Sequence, residues 1–202
     1  MAYLRKDSVK SDELIFPQLT AHLKKGAWNA ISANIGWLAC VFGAARGQHW
    51  LGLLVVGILF IVHITAIEKH QIRQIFSVAL TAIIIGFLTD TALILLGTVD
   101  PNRWLIPSTL MPLWDLAIWA NFSLTLNKSL HFLQKRLLVG AVLGALCAPG
   151  TYYAAGRLGA LYFSEPILNN LLWVGVFWFF AMPCLSLVSR YFYHSSKRKF
   201  FD

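Results

Sequence analysis

Charge is scarce in this chain of 202 residues: 13% are Asp, Glu, Lys or Arg, and only nine are acidic. With 57% apolar residues, against about 45–50% in ordinary soluble domains, that shortage excludes a water-soluble globular fold. Cysteine is scarce too. Cys40, Cys147 and Cys184 each fall inside an apolar stretch with no CxxC pairing, which argues against a disulfide framework or a zinc site and leaves three small packing residues. HExxH, GxSxG, Walker and GxGxxG patterns are missing, so no familiar nucleophile, metal or cofactor chemistry is expected. Residues 1–27 lack the apolar core of a cleavable signal peptide.

What the chain has is long apolar runs. Segments 28–45, 50–67, 75–97, 106–126, 137–154 and 168–188 are each about long enough to cross roughly 30 Å of hydrocarbon as a helix, and far longer than a barrel strand requires. The expected fold is all-α: a polytopic membrane protein of six transmembrane helices in three hairpins. The 17 basic residues set its orientation. Most of them fall before the first segment (Arg5, Lys6, Lys10, Lys24, Lys25), after the second (Lys69, Arg73), after the fourth (Lys128, Lys135, Arg136) and after the sixth (Arg190, Lys197, Arg198, Lys199). The other gaps hold one each: Arg46, Arg103 and Arg157. Both termini are therefore expected in the cytoplasm, and a net charge of +8 reads as topology and lipid head-group attraction, with no nucleic-acid partner. The organisation is an N-terminal cytoplasmic segment 1–27, in which 11–23 suits a short surface helix capped by Ser11, a transmembrane domain 28–190 and a basic cytoplasmic tail 191–202.

Polar residues inside the runs are the candidates for function. At the helical rise, Asp90 lies roughly 10 Å below the outer end of the third segment, and Asp115 lies at a similar depth in the fourth. An isolated ionised side chain there costs at least ~2.5–3.5 kcal/mol, so both carboxyls need partners or a cavity. The expectation is an outward-opening polar pocket of Asp90, Asp115, Arg46, His49 and Arg157, walled by Tyr152 and Trp119, that holds a lipid head group or small polar substrate. The competing expectation is that outer-loop arginines pair with the two acids and merely pin the helices. Pro112, Asp115, Trp119, Ser123 and Asn127 form a polar seam along the fourth segment, which reads as interhelical hydrogen bonding or as a conduit. Gly140-Ala-Val-Leu-Gly144 and the stripe Ile83, Gly86, Asp90, Gly97 mark faces where helices approach. From Cys147 to Pro166 small and breaking residues leave three alternatives: a helix ending near Pro149, a kinked helix, or a following segment that re-enters the membrane.

Three stretches carry a resemblance: 34–44 (Asn34-Ile-Gly-Trp37), 112–130 (Pro112-Leu-Trp-Asp115 through Trp119-Ala-Asn121) and 149–160 (Pro149-Gly-Thr-Tyr-Tyr153 through Arg157). Together they resemble an uncharacterised bacterial family of small inner-membrane proteins, classed as a domain of unknown function, over about residues 28–190. The resemblance implies a multi-pass inner-membrane protein. Genes of that family often lie near enzymes resembling cyclopropane-fatty-acid synthases, which implies a role in membrane-lipid modification. Asp115 stands where the family pattern has an apolar residue, so the resemblance favours Asp90 as the shared polar residue.

Three functions compete on this reading. The first is an accessory, non-catalytic component that binds a lipid or lipid precursor for a lipid-modifying enzyme. The second is a small transporter or channel that uses Asp90 and the polar seam. The third is a lipid-directed membrane enzyme with Asp90 and His49 in acid–base roles.

Overall fold

The computed structural model describes residues 26–67, 71–101 and 109–198. The surface helix expected over 11–23, Arg103 and the last four residues lie outside this range. The architecture is all-α: six helices among the described residues, with one two-stranded ladder. Helix α1 (26–45) leads through a tight turn to α2 (Trp50–Val62), which relaxes into a π-helical turn, His63–Ile67. Then follow α3 (Ile72–Leu95), β1 (Val99–Pro101), α4 (Leu113–Leu126), a 3₁₀ turn (His131–Lys135), α5 (Leu137–Arg157), β2 (Leu161–Phe163) and α6 (Ile167–Arg198). Strands β1 and β2 pair antiparallel, with Asp100 opposite Tyr162.

Three helices are long and apolar enough to cross a membrane: α3, α5 and the Ile167–Tyr193 portion of α6. Apolar side chains cover the outside of the bundle as well as its core. The outward stripe of α3 is Phe76, Leu80, Ile84, Leu88 and Leu95, whereas its buried face includes Gln74, Thr89 and Asp90. An aqueous protein would bury the first set and expose the second.

Helix α4 is shorter than the expected 106–126. It has 14 residues, about 21 Å of helix, because Pro112 removes an amide donor and biases Met111 toward extended backbone. That irregular stretch is shielded by protein: Met111 is fully buried and its N–H donates to the Thr91 hydroxyl at 3.4 Å. In the 149–166 region the helix simply continues to Arg157, and the chain then turns through Gly159 (φ 87°) into β2. Pro149 cannot donate to the Ala145 carbonyl one turn back. Gly175 of α6 approaches that freed oxygen so closely that a Cβ would lie 3.0 Å away.

Close helix contacts use the small residues. A Cβ on Gly144 would come within 2.6 Å of the Trp178 carbonyl and Met182, so the GxxxG face is occupied by α6. A Cβ on Gly52 would meet Cys40 at 2.6 Å, joining α2 to α1. Gly97 leaves the expected α3 stripe and turns the chain with φ 68°.

Two polar arrangements tie down the ends of the bundle. At one end Asn29 of α1 donates to the Leu124 carbonyl and accepts from the Ser129 hydroxyl at 2.9 Å. There too, Gln134 Nε2 reaches the Leu126 carbonyl, Asn127 Oδ1 and Ser189 Oγ within 2.9–3.1 Å, and Ser189 donates to Asn127 at 2.6 Å. At the other end the Ser164 hydroxyl donates to the Gly97 carbonyl, and Asn170 of α6 donates back to Ser164.

Candidate functional site

Asp90 lies five residues before the end of α3 and is 1% exposed. One turn earlier, Gly86 lets the Trp119 indole lie directly on the α3 backbone, where a Cβ would sit 2.2 Å from the ring. That approach carries Trp119 Nε1 to 2.5 Å from Asp90 Oδ2, and the indole donates. From α5 the Tyr152 hydroxyl makes a short hydrogen bond to the other carboxyl oxygen, Oδ1. From α6 Trp178 Nε1 donates to the Tyr152 oxygen at 3.3 Å. The two indoles stack with centroids 4.8 Å apart and planes 19° from parallel. Four helices thus converge on one carboxyl, which answers the cost of burying it: each oxygen has a donor.

Asp115 is half-buried in the first turn of α4, where the helix dipole favours a carboxylate, and is close enough to Asp90, Tyr152 and Cys40 to interact with them electrostatically. The two arginines of the expected pocket lie elsewhere. Arg46 is exposed, with its guanidinium 5.0 Å from the centre of the Phe42 ring. Arg157 is exposed in the last turn of α5, suited to the negative end of that helix. Neither guanidinium hydrogen-bonds to Asp90 or Asp115; indole and phenol groups take that place at Asp90. His49 is buried just before α2, and burial pushes its imidazolium below the ordinary histidine range. Glu165 accepts from the Ile167 amide and so closes the start of α6.

The structure therefore gathers Asp90, Trp119, Tyr152 and, beside them, Asp115. It adds Trp178, whose N–H donates to the Tyr152 oxygen. Depth along α6 would not have singled out this residue, since only the Tyr152 oxygen distinguishes it from its neighbours.

Beside the stacked indoles is a cavity of about 280 Å³ between α1, α4, α5 and α6. Trp37, Ile118, Trp119, Phe122, Leu143, Ala148, Trp178 and Met182 line it, with Leu130 and Leu133 toward the Gln134 end and Thr151 toward the Asp90 end. Leu143, Cys147 and Thr151 are both lining and surface-exposed, so the cavity opens sideways along α5. The seam on α4 is discontinuous: Trp119 is stacked on Trp178, Ser123 donates to the Ala120 carbonyl of its own helix and Asn127 belongs to the Gln134 arrangement. Among the described residues no three His, Cys, Asp or Glu side chains form a group suited to a metal ion.

A protein-family profile described as "Protein of unknown function (DUF2878)" matches residues 27–184. Neither the curated proteins nor the solved structures contain a match to this chain.

Proposed function

We propose a function for a chain that belongs to the DUF2878 family: it holds the apolar chain of a membrane lipid or lipid precursor, as an accessory component of lipid modification. On this reading it is a six-span protein of the bacterial inner membrane, its helices arranged as three hairpins and both termini cytoplasmic. The sideways-opening cavity carries the proposal. At about 280 Å³ it falls just below the roughly 300–1,000 Å³ of drug-sized ligand sites, enough for one hydrocarbon chain rather than a whole lipid. Its walls are almost entirely apolar, and its mouth is on the surface that three membrane-length helices would turn to lipid. On this reading the apolar cavity, rather than an outward-opening polar pocket, is the binding site, and Asp90 lies behind the Trp119 ring.

The test is native mass spectrometry of the protein released from lipid nanodiscs, comparing the original chain with Ala148→Phe, which fills the cavity. A lipid or lipid-like adduct retained by the first and lost from the second is the expected result. Equal retention by both would refute the cavity as the binding site. Co-purification with a lipid-modifying enzyme, and an altered lipid profile in a deletion strain, test the accessory role separately.

A conduit receives less support from the geometry. Both oxygens of Asp90 are engaged, and Trp119 interrupts the seam through which an ion would pass.

A further inference from the structure

The chemistry of the cavity wall narrows what can sit against it. Four aromatic rings contribute: Trp37 from α1, Trp119 and Phe122 from α4, and Trp178 from α6. Hydrogen-bond donors on that wall are already committed. Trp119 donates to Asp90, Trp178 to Tyr152 and Thr151 to the Ala148 carbonyl, leaving the Trp37 N–H and the Cys147 thiol among the described lining residues. A carboxylate or phosphate entering here would lose its water and find few donors in return.

Charge points the same way. Two carboxyls stand behind the wall: Asp90, in hydrogen-bond contact with the lining indole of Trp119, and Asp115, one helical turn before Trp119 on α4. No Lys or Arg occurs within 109–127, 137–156 or 167–189, the stretches that supply most of the lining. Aromatic rings with two carboxyls behind them, and no basic side chain in these stretches, make a wall at which an ammonium group is favoured over a carboxylate or phosphate.

We infer that the cavity takes a single-chain amphiphile with a cationic head, an amine or quaternary ammonium, seated at the Trp119–Trp178 wall with its chain directed toward Leu133. The inference rests on the chain-binding function proposed above and adds the chemical class of the head.

The experiment uses the full chain in zwitterionic-lipid nanodiscs and three brominated dodecyl probes that differ only in the head: trimethylammonium, alcohol and phosphate. Bromine quenches nearby tryptophan fluorescence, and the part of the quenching abolished by Ala148→Phe reports the cavity. The trimethylammonium probe should act at about tenfold lower concentration than the alcohol, as expected for a desolvated cation–π contact. Asp115→Asn, which lies outside the hydrogen-bond network, should narrow that advantage; Asp90→Asn should narrow it further wherever the variant folds. Equal quenching by ammonium and alcohol overturns the cationic head and leaves chain binding standing. Stronger quenching by the phosphate probe also overturns it, and moves the head to the Lys128 and Lys135 end. If no probe shows cavity-dependent quenching, chain binding fails and this inference fails with it.

Discussion

Trp119 does two things to Asp90 from one position: its ring covers the α3 backbone at Gly86, and its N–H reaches the carboxyl at 2.5 Å. Removing the N–H alone separates these roles. Trp119→Phe keeps most of the ring and leaves one Asp90 oxygen without its donor, which should cost ~2 kcal/mol, the usual range for a hydrogen bond to a charged group. Unfolding of the detergent-solubilised protein measures it. Paired with Asp90→Asn in a double-mutant cycle, the two effects should be strongly non-additive, whereas simple additivity would mean the bond contributes nothing.

Gly86→Ala asks whether the close approach matters. A methyl group there would sit 2.2 Å from the indole, so Trp119 must move, and a loss of ~1–3 kcal/mol is expected. Gly150, on α5, has nothing within 4 Å of its would-be Cβ. Gly150→Ala is the control and should be neutral or stabilising by up to ~1 kcal/mol. Equal melting temperatures for the two variants would contradict the packing described for α3 and α4.

Gln134→Leu should destabilise by ~1–3 kcal/mol, since it strips a donor from the buried Leu126 carbonyl and Ser189 hydroxyl and leaves Asn127 with the Ser189 hydroxyl alone. Gln134→Glu is the companion variant. It keeps the shape, replaces an amide with a carboxylate beside two acceptors, and should be the worse of the two in a thermal-shift measurement.

The pH response of His49 has a defined sign. Burial favours its neutral form in the folded protein, so the unfolded chain binds the proton more readily. Stability should therefore be full above the ordinary histidine value of about 6.5 and fall as the pH drops below it toward the lowered folded value. Melting temperatures taken across that interval should decline for the original protein and decline less for His49→Gln.

Orientation is tested by reporter fusions. A periplasm-dependent phosphatase should be active when inserted at Gly47 or Gly159, and a cytoplasm-dependent fluorescent protein should light up when fused after Arg198. The opposite pattern would invert the proposed arrangement.

Much of the site could be read from depth alone. Counting residues along apolar segments brought Asp90 and Asp115 to one level, because helical rise is regular. Rotation about each helix axis could not be read with the same certainty. Arginines were natural partners for buried acids, yet Arg46 lies over Phe42 and Arg157 at the exposed end of α5, because each is anchored beyond the apolar part of its helix. The aromatic partners were recognised only as walls, since the decisive contact depends on the missing side chain at Gly86. Pro112 and Pro149 show why boundaries were harder than depth. Both remove a donor, but Pro112 stands at the start of α4 while Pro149 is carried inside α5, where Gly175 approaches the carbonyl it frees.

The Gln134 arrangement has a mechanical consequence. It bolts α6 to the foot of α4, and the β1–β2 ladder fastens the opposite end of the bundle, so that side cannot part without breaking polar bonds. Leu143, Cys147 and Thr151 carry no such fastening to α1. A chain bound as proposed would therefore enter along that flank of α5.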